Sequence, residues 1–469
     1  MNLHLVLLLA YSALLIALGL WIGRRVKSAG DFFVAGRGLG PGLIFATFVA
    51  ANIGAGSTVG ASALGYRDGL SAWWWVGSAG IGSLVLGLTV GPRIRRLARQ
   101  HDLRTVGDFL EYRYHPSVRG VIAALLWVGT LFILAGQLIA IGSILNVVAG
   151  LPRYAGCLIG GAVVTTYFTA GGLLTSAWVN LVQMLVKLAG FSLAVALVLG
   201  RVDGFAGLAA ATPAVGGYWS FWSGGGSGWH YLALLAPSFI VSPGLLQKIY
   251  GARDDRAVRI GVAANAVVLL LFAFIPPTLG MAARALHPGL PNRDLALPTL
   301  LTNDLPPLIG SLGLAAVFSA ELSAADAILF MLATSLSQDL YRRFLRPTAE
   351  DAQVLTIARR AAVTGGVIGV GLAIVVPSVI DALSVFYSVV TVSLFVPVLA
   401  GLYLRKAGTP EALAAIGAGV AVLVGAQLST GGRGLGPLPP VLLGLLAAAA
   451  ACALCLILRR RRPHASTRG

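Results

Sequence analysis

The 469-residue chain has little charge: only 11% of its residues are Asp, Glu, Lys or Arg, against roughly 25% in a soluble protein. A solvated globular domain is excluded. Acidic residues are the scarcest, 17 against 34 basic, which leaves few carboxylates for paired acid–base work. The three cysteines, Cys157, Cys452 and Cys455, all lie in apolar runs, so neither a disulfide framework nor a zinc site is indicated. The C-x-x-C formed by Cys452 and Cys455 reads as two small apolar residues one turn apart. The six histidines occupy loops or span ends at no useful spacing, and an enzyme is not expected. Nor is there the repeated filter or charged ring that a channel needs.

Apolar residues fill the space that charge leaves. They make up 57% of the chain, with 60 Gly and 22 Pro and a mean hydropathy of +0.86. Roughly 20 apolar residues cross a bilayer, and runs of that length recur along almost the whole chain. The pattern predicts an all-α polytopic membrane protein with about thirteen transmembrane helices, near 3-22, 42-66, 71-92, 120-148, 154-171, 175-200, 229-250, 258-283, 308-341, 355-376, 379-404, 411-429 and 438-458. The first run lacks a basic residue before it and is followed by Arg24, Arg25 and Lys27, which reads as an uncleaved span rather than a signal peptide.

The net charge of +17 is explained by placement. Arg67, Arg153, Arg201, Arg284, Arg293 and Arg433 fall on one set of alternate loops, Lys187 falls within a span, and the other 27 of the 34 basic residues fall on the opposite side. Basic loops stay inside, so the N-terminus is expected outside, the C-terminus in the cytoplasm, and no nucleic-acid partner is needed. Between two spans, Leu103 to Gly120 carries T-x-x-D-F-L-E-x-R and reads as an amphipathic cytoplasmic helix. The Gly-rich outer loop Val202 to Gly228, with Tyr218, Trp219, Phe221 and Trp222, reads as an interfacial lid or an aromatic belt, and Trp73, Trp74 and Trp75 read as belt.

Two spans contain breaks. Ala50 to Gly60 is A-A-N-I-G-A-G-S-T-V-G, and each glycine is about 1 kcal/mol worse than alanine in a helix. Ala236 to Gly244 is A-P-S-F-I-V-S-P-G, where two prolines remove backbone donors at membrane depth. The breaks lie five spans apart, an odd offset that reverses orientation, as in an inverted repeat whose discontinuous helices meet at a central site. The organisation expected is 1-40, a first helix and loop; 41-200, a first five-helix repeat; 201-228, an outer loop; 229-404, a second five-helix repeat; and 405-469, two further helices and a basic tail. Ionisable groups within spans are functional candidates: Lys187, Glu321 and Asp326. Ala320, Ser323 and Ala324 share a helix face beside both carboxylates, a setting suited to a hard cation. Asn180, Gln183 and Lys187 share another face.

These residues resemble the sodium:solute symporter family. The resemblance runs from about residue 28 to 405 and is carried by D-F-F-V-A-G-R at Asp31 to Arg37, A-N-I-G-A-G at Ala51 to Gly56, and G-G-x-x-x-x-x-W-x-x-x-x-Q from Gly171 to Gln183. Further pieces are P-x-x-x-Q-K-x-Y-G-A-R-D from Pro243 to Asp254, D-L-P-P from Asp304 to Pro307 and S-x-D-L-Y-R-R from Ser337 to Arg343. It implies a LeuT-like 5+5 inverted repeat in the cell membrane, with sodium-coupled symport of a small organic solute by alternating access and no partner protein evident beyond the lipid bilayer.

By the same resemblance, sodium is held by Ala50, Ile53, Ala320 and Ser323, and the solute is lined by Ser57, Thr58, Gln137, Phe239 and Ser242. The chain departs from the family at Ala324, where a hydroxyl is usual, and at Asn180, where Asp is usual. Asp326 is expected ionised beside the sodium as compensation, with Asn180, Gln183, Lys187 and Glu321 in coupling roles. Lys187 is expected to pair with Asp326 or Glu321. The alternative is a proton-coupled or sodium-independent transporter in which the Lys187 ammonium replaces the cation.

Overall fold

A computed structural model describes residues 3–23, 37–169, 173–212 and 216–461. Most of the D-F-F-V-A-G-R run, Gly171 and Gly172, and the side chain of Asn180 lie outside the described part. The fold is LeuT-like and helical. Among the described residues, ten helices are long and apolar enough to cross a membrane, and Leu3–Leu14 and Pro41–Asn52 are apolar but shorter. Leu428 and Val375, each 80% exposed, belong to the lipid-facing girdle such a bundle requires.

The innermost helix is Pro307–Thr334, most of it buried, continuing as a π-helical segment Ser335–Leu345. Its Ala and Ser residues let neighbours approach closely: Leu173–Arg201 lies along it, with Gly190 so near that an added Cβ would stand 2.5 Å from Ala316 Cβ. Pro116–Ala149, Asp351–Val375, Leu3–Gly23, Ala296–Asn303, Arg153–Thr169 and Pro41–Asn52 also pack against it.

Both expected breaks are present. The helix Pro41–Asn52 stops at Ile53, whose φ of −97° and ψ of 91° are extended. A single 3-10 turn, Ala55–Ser57, follows, and helix resumes as Val59–Asp68. In the second broken span, Tyr231–Val241 and Pro243–Tyr250 are separated by Ser242, at ψ 123°. Proline lacks a backbone N–H and disfavours α conformation in the residue before it, so Pro243 accounts for this break.

At the basic end, the helix expected over Leu103 to Gly120 is shorter, Val106–Arg113, opened by a Thr105–Asp108 capping box, and Pro116 onward belongs to the next long helix. The Gly-rich loop after Leu173–Arg201 holds a short helix, Gly204–Ala211, and a two-residue hairpin pairing Ser223–Gly224 with Ser227–Gly228. The loop folds over the tryptophans: Trp74 Nε1 donates to Phe221 O at 2.9 Å, and Tyr218 OH donates to Gly65 O at 2.9 Å. Trp73, Trp74 and Trp75 are all buried, which corrects their assignment to an interfacial belt.

Candidate functional site

Ending a helix at Asn52 frees carbonyls that a continuing helix would occupy. Ala50 O and Ile53 O turn toward Leu173–Arg201 and Pro307–Thr334, and they meet Lys187 there. Its Nζ donates to Ile53 O at 3.0 Å, to Ala50 O at 3.2 Å and to Ser323 Oγ at 2.6 Å. An ammonium has three donors, and three oxygens receive them. Ser323 Oγ lies also 3.0 Å from Ala50 O and 3.1 Å from Ala320 O, in reach of donating its own hydrogen. Carbonyls at a helix C-terminus carry the negative end of the dipole, so this end of Pro41–Asn52 is a ready seat for positive charge.

Ala50, Ile53, Ala320 and Ser323 are therefore brought together as the resemblance implies, but the positive group at their centre is the Lys187 ammonium. The expectation that Lys187 pairs with a carboxylate instead of entering the cage is corrected by this geometry. Glu321 is the carboxylate whose charge acts on it. Thr58, on the far side of the break, donates to Glu321 Oε1 at 2.7 Å and lies 3.0 Å from Gly54 O. Glu321 Oε2 is buried with no hydrogen-bond partner among the described residues.

Asp326 is not among the hydrogen-bond partners of Lys187, and it and Lys248 of the second broken span are both buried. Gln183 is wholly buried with neither side-chain amide atom hydrogen-bonded among the described residues, and it does not touch the cage.

Beside the cage is a half-open cavity of about 60 Å³, room for a few waters or part of a compact solute. Of the residues assigned to the solute, Ser57, Gln137 and Phe239 line it, while Thr58 and Ser242 do not. Thr58 is turned to Glu321, and Ser242 lies at the break itself. Gln137 Oε1 accepts from Ala55 N at 2.9 Å and so holds the unwound turn to Pro116–Ala149. The walls missed in the sequence are Trp75, Tyr387 and Asn52. Tyr387 packs on Phe239 with ring centroids 5.6 Å apart and on Trp75 at 6.0 Å, and Asn52 Nδ2 has no protein acceptor among the described residues. No charged side chain lines this cavity.

Toward the basic end, Arg119 closes the bundle. It meets Asp339 at 2.7 Å, Asp108 at 2.8 Å and Glu111 at 3.0 Å, and Arg343 joins Glu111 at 2.7 Å. Thr105 Oγ1 donates to Asp339 at 2.6 Å. Partial burial pushes the Glu111 carboxyl up, but Arg119 and Arg343 outweigh it and hold the group below the usual glutamate value.

A family comparison decides what this architecture belongs to. Residues 32–419 match the sodium:solute symporter family. The chain belongs to that family. The Escherichia coli K12 sodium/pantothenate symporter is 28% identical to it, with 94% of each chain covered. The Vibrio parahaemolyticus sodium/glucose cotransporter is 24% identical over 76% of this chain and 72% of its own length. A solved Na+-coupled sialic acid symporter in a substrate-bound outward-open state superposes with a TM-score of 0.78 at 17% identity, covering 98% of both chains. Symporters of this family take sodium as coupling ion, and the chain is a multi-pass membrane transporter by membership.

Proposed function

We propose that this chain is a secondary active transporter that moves a small organic solute across the cell membrane by alternating access, coupled to a cation gradient. Sodium, the family's coupling ion, is the co-transported species in that scheme. The observation that carries the reading is the cavity against the first helix interruption, beside a cage of helix-end carbonyls. Unwound backbone at membrane depth is tolerated where it lines such a site. The Arg119 cluster closes one end, and alternating access requires it to open. The segments 41-200 and 229-404 are read as the two inverted repeats. Basic loops assign Arg119 and its neighbours to the cytoplasm, with the N-terminus outside.

In this reading the solute is held by Ser57, Gln137, Phe239, Trp75 and Tyr387. A cavity with aromatic walls, an amide donor at Asn52 and no charged lining favours a compact solute that presents an apolar or π-binding face. The solutes of the relatives, pantothenate, glucose and sialic acid, differ too much from one another for any of them to be transferred. The test is uptake of a panel of labelled small solutes into proteoliposomes. At least one should accumulate, and Gln137→Ala should weaken its binding by about 1 kcal/mol or more through the lost bond to Ala55. If no panel member is taken up, or uptake is untouched by Gln137→Ala and Trp75→Ala alike, the reading fails.

A further inference from the structure

The cage oxygens already hold a cation. We propose that in this chain the cation of that site is the tethered Lys187 ammonium, which keeps sodium out of it. The proposal rests on the transporter reading above.

Occupancy is the first argument. Nζ lies 2.6 to 3.2 Å from Ser323 Oγ, Ile53 O and Ala50 O, and an ion seated on the same three oxygens would overlap it. The two occupants are mutually exclusive. Like a bound ion, the ammonium ties the end of Pro41–Asn52 to Pro307–Thr334, the contact that alternating access has to make and release.

Coordination is the second. An ammonium is satisfied by three acceptors, whereas a hard metal ion takes more oxygens. The position next to Ser323 is Ala324, which offers no hydroxyl, and the backbone closes over it: a Cβ on Gly54 would stand 2.5 Å from Ala324 Cβ. The site is built for three ligands.

Charge balance is the third. Pro41–Asn52 has no titratable side chain, and neither has Gly204–Ala211. Ile275–Leu286 brings Arg284, stacked on Tyr66. The first helix brings His4, bonded to Ser311, and Tyr11, bonded to Ser319. Pro307–Thr334 brings two buried carboxyl groups, Asp326 and Glu321, and Thr58 connects Glu321 to the resumed half of the broken helix. Of the charged side chains that these elements and Leu173–Arg201 bring, Lys187 is the one whose head group sits on the cage oxygens, and a tethered lysine cannot leave.

One measurement on the purified full-length protein tests this without a solute. In equilibrium dialysis with radioactive sodium in choline chloride, the wild type should show no saturable binding that Ser323→Ala removes. Lys187→Met, whose folding is checked by its gel-filtration profile, should gain saturable binding by at least about tenfold, and Ser323→Ala added to Lys187→Met should remove that gain. Saturable sodium binding in the wild type that Ser323→Ala abolishes overturns the proposal, as does a folded Lys187→Met protein with unchanged sodium binding. The assay does not read solute movement, so these failures leave the transport reading standing, and absent solute uptake leaves these outcomes intact.

Discussion

Gly54 and Ala324 meet so closely at the centre of the bundle that a Cβ built on Gly54 would stand 2.5 Å from the Ala324 methyl and 2.9 Å from Gln137 Oε1. Glycine at this point lets the interrupted helix lie flat against Pro307–Thr334, and the same contact brings Ala50 and Ile53 within reach of Lys187.

Gly54→Ala should therefore destabilise by overpacking, on the order of 1 to 3 kcal/mol. Thermal unfolding in detergent should show a lower Tm for the single variant and partial recovery in Gly54→Ala/Ala324→Gly. Equal Tm values for wild type and Gly54→Ala would remove this account of the contact.

Arg119 holds three carboxylates at the basic end. Removing one partner of a buried ion pair typically costs about 3 to 5 kcal/mol, so Arg119→Ala should loosen this end. A cysteine introduced at Thr334, which lines the small cavity beside Asp339, should react faster with a membrane-impermeant thiol reagent in the Arg119→Ala background. Combining Arg119→Ala with Asp339→Asn should lose less than the sum of the single changes.

Asp326 and Lys248 are both buried, and Asp326→Asn should lower stability, with Lys248→Met in the same chain restoring part of the loss, as a double-mutant cycle in thermal unfolding would reveal. Since Asp326 is not among the hydrogen-bond partners of Lys187, the sodium binding gained by Lys187→Met should not change when Asp326→Asn is added. A change there would return Asp326 to the cation site.

Asp294, in the Arg293–Leu295 turn, is fully buried. Burial pushes its carboxyl up to about 6, although the Val379 N–H that it accepts at 3.1 Å acts the other way. The folded value lies above the ordinary one near ~3.9, so the fold favours the neutral acid. Its contribution, about 3 kcal/mol, is fully present below roughly pH 3.9 and is lost as pH rises through about 6. Asp294→Asn keeps an acceptor for Val379 and should flatten that part of the Tm profile between about pH 4 and 7. An identical profile in wild type and variant would count against it.

Much of the fold was legible because it depends on short-range chemistry. Charge is too costly to scatter through a bilayer, so apolar runs mark the helices, and basic residues mark one side. Gly54 and Gly56, and Pro243 after Ser242, weaken a helix through their own backbone chemistry, and the helices break there. Family spacing then located the Ala50, Ile53 and Ser323 oxygens, which the structure brings together.

What tertiary structure alone decided is which side chains meet. Lys187 lies 136 residues from Ser323 in the chain, and whether its long side chain ended in the cage or against a carboxylate depended on how Leu173–Arg201 packs along Pro307–Thr334. The same packing turned Thr58 to Glu321 and Trp75 inward to a cavity. A tryptophan at a span end has the same composition whether it faces headgroups or solute. The sequence determined where helices run and where they break, because those are properties of consecutive residues. The occupant of the cage was decided by the packing, because it depends on distances of a few ångströms between segments far apart in the chain.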